Sequence, residues 1–202
     1  MNKYHIFISS VQKEFSNERR ALKDYIHGDA LLSRFFNVFL FEDIPAADHR
    51  AGDIYLSKVK HCDIYLGLFG EQYGVEDNEG ISPTHHEFML ATQLNKIRLI
   101  FVKGENDSMR QTKMQSLMHL AGSQLIRRRF GDTPELHSAV YASLVQYLLD
   151  SGKLLTGPFD VSPCRNASVE DISLDKIQWF LSRIRVRIRV SHDLCDLFLR
   201  NK

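Results

Sequence analysis

Glu87 stands in Ser82-Pro83-Thr84-His85-His86-Glu87-Phe88, after a turn-rich loop that follows the apolar run Cys62 to Gly70. In open α/β sheets ligands collect beyond the carboxyl ends of the strands, at loops that open helices, so a carboxylate in the first turns of such a helix is placed for catalysis. The same glutamate also suits a structural role, complementing the helix dipole, reaching back to Ser82 or pairing with an arginine. Other chemistries fit the spacing worse. His85, His86 and Glu87 are consecutive, so on a helix they diverge by ~100° per residue and cannot converge on one ion, even with His61 and Cys62 upstream. No metal is expected. The stretch Gly70 to Gly80 lacks both the Gly-Lys-Ser/Thr of a P-loop and the spacing of a dinucleotide fingerprint, so neither nucleotide fingerprint is met and ATP hydrolysis is not expected.

The elements that would position Glu87 follow from periodicity. Tyr4 to Ile8 is β-branched and aromatic and predicts a strand ending at Ser9-Ser10, where either serine suits a helix N-cap. Val11 to His27 carries apolar residues with a helical rhythm. A second strand is predicted at Phe35 to Phe41, a polar loop broken by Pro45 and Gly52 follows, and a short helix runs from Asp53 to Val59. Cys62 to Gly70 is nearly continuous in apolar residues, as expected of a central parallel strand covered on both faces. Further elements are a helix from Pro83 to Asn95 capped by Ser82, a strand at Ile97 to Val102, a helix at Met109 to Leu120, an edge strand at Gln124 to Phe130 and a closing helix from Pro134 to Leu149. This alternation predicts a flavodoxin-like α/β fold, a three-layer sandwich around a mostly parallel sheet of about five strands.

The domain boundaries are expected at 1–150 for the α/β domain, 151–167 for a linker and 168–202 for a helical extension. In the extension, Ser168 to Asp171 has capping-box spacing before a helix from Leu174 to Ile184. Arg183 to Val190 alternates arginine with β-branched residues, reading either as an edge strand with solvated arginines or as a local phosphate-binding stripe.

Composition narrows the function classes. The 202 residues are 44% hydrophobic, enough for one sizeable core. Lys+Arg of 26 against Asp+Glu of 25 leaves no global field to draw the chain onto DNA or an anionic membrane, so nucleic-acid binding would have to be local. Cys62, Cys164 and Cys195 are too scattered for a disulfide framework, which fits a reducing, cytoplasmic setting, and the apolar runs are too short for a signal peptide or a membrane span.

Three ordered motifs carry a family resemblance. Ile6-Phe7-Ile8-Ser9-Ser10 with Glu14-Phe15 and Glu18-Arg19, then Cys62 through Gly74, then Ser82-x-Thr84-x-x-Glu87-Phe88-x-x-Ala91 resemble the TIR-like domain of unknown function at the front of many bacterial regulatory and defence proteins. The likeness covers about residues 3 to 150. It implies kinship in fold with TIR domains and nucleoside deoxyribosyltransferases, in which a glutamate on the equivalent helix attacks or stabilises the anomeric carbon of a ribosyl group; Glu87 is the matching position. That family pattern has an acidic residue after the threonine and a tyrosine after the glutamate, where this chain has His85 and Phe88. Gly157 to Leu181 resembles a connector in RecG-related, Schlafen-type regulators. The implied activity is cleavage or transfer at the N-glycosidic bond of NAD or a related nucleotide without a further cofactor. The competing implication is a non-catalytic module that senses a nucleotide or self-associates, as a homo-oligomer or with a partner regulator. On the catalytic reading, Ser9, Ser10, Asp43, Tyr73, Gly74 and Ser82 support Glu87 at the substrate, with Tyr73 stacking on a base or nicotinamide.

Overall fold

Apolar side chains that alternate along buried strands need a helical layer on each face of the sheet, and the chain supplies both. The computed structural model describes residues 3–43 and 51–154, with side chains for all of these but 51–54. The chain divides after Leu155 into two units, and every described residue lies in the first. The loop residues 44–50, the connector, the helix expected at Leu174 to Ile184 and the arginine stripe lie outside the described residues.

The order is β1 (Tyr4–Ser10), α1 (Gln12–Gly28), α2 (Leu32–Phe35), β2 (Phe36–Phe39), a 3₁₀ turn (Phe41–Asp43), α3 (Ala51–His61), β3 (Ile64–Phe69), α4 (Pro83–Gln93), β4 (Ile97–Lys103), α5 (Thr112–Gly122), β5 (Arg127–Phe130) and α6 (Thr133–Asp150). The five strands pair in parallel in the order β2-β1-β3-β4-β5, the flavodoxin-like arrangement. One core joins Ile6, Ile8, Leu66 and Phe101 of the sheet to Phe15 and Leu22 of α1 and Leu144 of α6. The other joins Phe7, Tyr65, Phe69 and Val102 to Val59 of α3, Phe88 of α4 and Met114 of α5. The sheet is therefore sandwiched, and all six residues of β3 are buried.

Several boundaries differ from the sequence reading for identifiable reasons. Neither Ser9 nor Ser10 caps α1: β1 runs through both, pairing them with Gly67 and Leu68 of β3, and the N-cap is Val11 without a side-chain bond. The second strand is shortened by α2, whose entry is fixed by Asp29 Oδ1 accepting from the N–H groups of Leu31 (2.9 Å) and Leu32 (2.8 Å). The edge strand begins at Arg127 because the N–H groups of Gln124 (3.2 Å) and Leu125 (2.9 Å) still bond back to Ala121 O at the end of α5. Ser82 is the N-cap of α4, its Oγ accepting from His85 N at 3.4 Å.

A Cβ on Gly67 in β3 would lie 2.9 Å from Ile100 Cδ1 and 3.1 Å from Tyr65 Cε1, closer than packed carbons tolerate. Gly67→Val should cost about 1–3 kcal/mol by overpacking. Urea unfolding of the variant against wild type checks this; an unchanged midpoint would contradict the packing described.

Candidate functional site

A β-strand turns successive side chains to opposite faces, so Ser9 follows Phe7 toward α4 while Ser10 follows Ile8 toward α1. The neighbouring serines consequently serve different partners. Ser9 Oγ donates to Glu87 Oε2 at 2.5 Å, and Tyr65 OH donates to Ser9 Oγ at 2.9 Å. Ser10 Oγ accepts from Arg19 Nη1 at 3.1 Å, and the same nitrogen donates to Ile8 O at 2.9 Å. Arg19 Nε and Nη2 grip both oxygens of Glu42 at 2.8 and 2.9 Å, a bidentate clamp. Burial pushes the Glu42 carboxyl up, but the Arg19 hydrogen bond and charge hold it net below the ordinary range.

Glu87 is 4% exposed. Burial drives its carboxyl up to about 7, against the opposing pull of the Ser9 hydrogen bond and the Arg19 charge. Tyr65 is fully buried, and burial followed by the Glu87 charge lifts its phenol well above the ordinary value, so it stays a donor in the relay. Among the described residues Glu87 Oε1 accepts no hydrogen bond.

Glu87 lines a cavity of about 400 Å³ at the carboxyl ends of β1 and β3, the point where the strand order reverses. Ser10 and Thr84 share the lining with it, Lys13 and Arg19 add cationic side chains, and Tyr55 of α3 adds an aromatic one. Burial and then the charge of Glu87 raise the Tyr55 phenol.

One wall is the strap 71–81, shaped by neighbouring elements. Glu14 of α1 accepts from the N–H groups of Glu71 (2.6 Å) and Gln72 (3.1 Å), filling the space where a side chain at Gly70 would stand. Gln111 Oε1 accepts from Tyr73 N at 2.7 Å, and Lys113 Nζ donates to Glu76 Oε2 at 2.7 Å and Gly80 O at 2.8 Å. Gly74 turns with φ +95°, a left-handed conformation that favours glycine.

The residues expected around a substrate are thus only partly brought together. Ser10 and Gly74 line the cavity with Glu87, and Ser9 sits behind Glu87 as its hydrogen-bond donor. Tyr73 does not face the cavity: its ring is 3% exposed within the α3–α5 core and its OH meets His85 Nδ1 at 2.7 Å. Among the described residues the aromatic lining of the cavity comes from Tyr55 and Phe7. Asp43 is turned to the surface, paired with Lys23 Nζ at 2.8 Å. Ser82 is fully buried in its capping role. Sequence reasoning missed Tyr65, Tyr55 and the Arg19–Glu42 clamp. Thr84 did carry a signal, since three residues before Glu87 along a helix is a same-face spacing. Among the described residues no group of three or more His, Cys, Asp or Glu is placed to hold a metal ion, and no helix is long and apolar enough to cross a membrane.

The profile of a family described as "Domain of unknown function (DUF4062)" matches residues 5–145. The chain belongs to the DUF4062 family. No curated protein is similar to this DUF4062 chain at a significant level. Among solved structures it is similar to a CMP N-glycosidase of Clostridium botulinum, BcmB, with a TM-score of 0.46 at 10% identity over 69% of this chain and 98% of that one. It is also similar to oxidised flavodoxin 1 from Bacillus cereus, with a TM-score of 0.37 at 13% identity over 77% of this chain and 100% of that one. At TM-scores below 0.5 neither likeness bears on the chemistry of DUF4062 residues.

Raising Glu87 from 4.5 to about 7 on folding means that between these values the unfolded chain has released a proton the native one keeps. Stability therefore falls as pH rises through this window and levels above it, by about 3 kcal/mol in all. Glu87→Gln has no such group, so relative to wild type it should gain most of that amount between about pH 4 and about pH 8. Urea unfolding of both proteins at the two pH values reads this; a difference independent of pH would mean that Glu87 is not held as described.

Proposed function

We propose that this DUF4062 domain is a TIR-like enzyme that cleaves or transfers the N-glycosidic bond of NAD or a related nucleotide, with Glu87 as the catalytic carboxylate. The observation that carries this reading is the half-satisfied, buried carboxyl: one oxygen is fixed by the Ser9–Tyr65 relay, the other accepts no hydrogen bond among the described residues, and the residue lines a cavity of nucleoside dimensions. Scission of the bond between C1′ and the nicotinamide nitrogen sends the bonding pair to the ring, which leaves neutral. Positive charge grows at C1′, and an ionised carboxylate there either stabilises it or bonds to it. In hydrolysis, water then supplies the hydroxyl at C1′ and one proton is released.

The surroundings suit these steps. The apolar walls strengthen the electrostatic attraction between Glu87 and the developing cation. Ser9 and Tyr65 act as positioning residues, holding the carboxylate in one rotamer. Tyr55 offers a face for a leaving ring, in place of Tyr73.

Incubation of concentrated protein with NAD, following nicotinamide release, tests the proposal. Wild type should release nicotinamide, and Glu87→Gln should be slower by about 10²-fold or more. The rate should rise with pH and level above about 7, since the ionised carboxylate is the working form. Equal rates for the two proteins would remove Glu87 from the chemistry. Tight nucleotide binding with no turnover would instead make the domain a sensing or self-association module of a larger regulator.

A further inference from the structure

Among the described residues four polar side chains lining the cavity are nine-tenths or more buried, and three of them present groups left over for a ligand. Ser10 is 9% exposed, Thr84 is 4% and Glu87 is 4%; the fourth, Arg19, is 2% exposed and committed to Glu42, Ile8 and Ser10. Thr84 and Glu87 are three apart on α4 and share a face, and Ser10 ends the neighbouring strand. Ser10 Oγ accepts from Arg19, so its own proton is left to donate. Among the described residues neither Thr84 Oγ1 nor Glu87 Oε1 makes a hydrogen bond, and neither is among the buried atoms cut off from any partner.

Two hydroxyls and a carboxylate oxygen, held among Phe7, Ile8 and Val11, call for a ligand that donates and accepts at adjacent positions. A phosphate would be drawn by Lys13 but offers only acceptors, so it leaves the Glu87 oxygen without a donor. The edge of a base offers donors and acceptors only within a plane, whereas these groups come from a strand end and from a helix turn. Adjacent hydroxyls on a furanose, each both donor and acceptor, match the set. We infer that Ser10, Thr84 and Glu87 form a sugar subsite for the 2′,3′-diol of a ribonucleotide, which makes the domain selective for ribose over 2′-deoxyribose. The inference rests on the N-glycosidic reading only for placing C1′ beside Glu87; the hydroxyl contacts require no turnover.

Calorimetry on the full chain carrying Glu87→Gln separates binding from reaction. Adenosine and uridine 5′-monophosphates should bind about ten- to a hundredfold more tightly than their 2′-deoxy counterparts, because a missing hydroxyl leaves buried polar groups unpaired. Adding Thr84→Val, nearly isosteric but without the hydroxyl, should bring that ratio toward about one. Thr84→Ser should keep it, and circular dichroism confirms that each variant is folded. The inference is overturned if deoxynucleotides bind equally well, if folded Thr84→Val keeps the full ratio, or if neither ligand class binds at millimolar concentration. Ribose selectivity without nicotinamide release from wild type would remove the glycosidase proposal and leave the subsite standing. Turnover without selectivity would do the reverse.

Discussion

The hydrogen bond from Ser9 to Glu87 joins the end of β1 to α4, and the rest of the site is organised around it. Burial alone would leave the carboxyl protonated and free to choose a rotamer. A hydroxyl at 2.5 Å, itself oriented by a phenol at 2.9 Å, opposes that tendency and assigns the two oxygens separate tasks. The relay is directional because Tyr65 keeps its proton. Stability is set against poise here: a neutral side chain would fit the interior more comfortably, and the domain retains a charge-bearing one.

Sheet parity is what allows two neighbouring serines to organise two unlike groups. One looks toward the helical layer that carries the acid, the other toward the layer that carries Arg19. Arg19 is nearly saturated by Glu42, Ile8 and Ser10, so it serves as a fixed positive centre rather than an arm that reaches for a ligand. The clamp also ties α1 and the end of β1 to the 3₁₀ turn after β2.

Much of this architecture was legible in the residues. The near-continuous apolar run around Ile64 to Phe69 announced a central strand, and Ser82-Pro83 announced the start of α4, because such signals are local. What stayed hidden depends on pairing across the chain. Whether Ser9 caps a helix or continues a strand is decided by its register opposite Gly67, 58 positions away, which no window around Ser9 contains. Tyr73 looked available in a glycine-containing loop, yet its ring turns inward to His85 while Tyr55, on a short amphipathic helix, takes the place facing the cavity. Asp43 ends at the surface because Lys23 of α1 is there to meet it.

The strap 71–81 borrows its shape from α1, α4 and the start of α5 through Glu14, through His86, whose Nε2 meets Asp77 Oδ2 at 2.6 Å, and through Gln111 and Lys113. A peptide cut from that stretch would keep its glycines but lose the clasps that give it form. The pocket wall is thus a collective property of the folded sandwich, and grafting the strap onto another scaffold would require transplanting its four clasps as well.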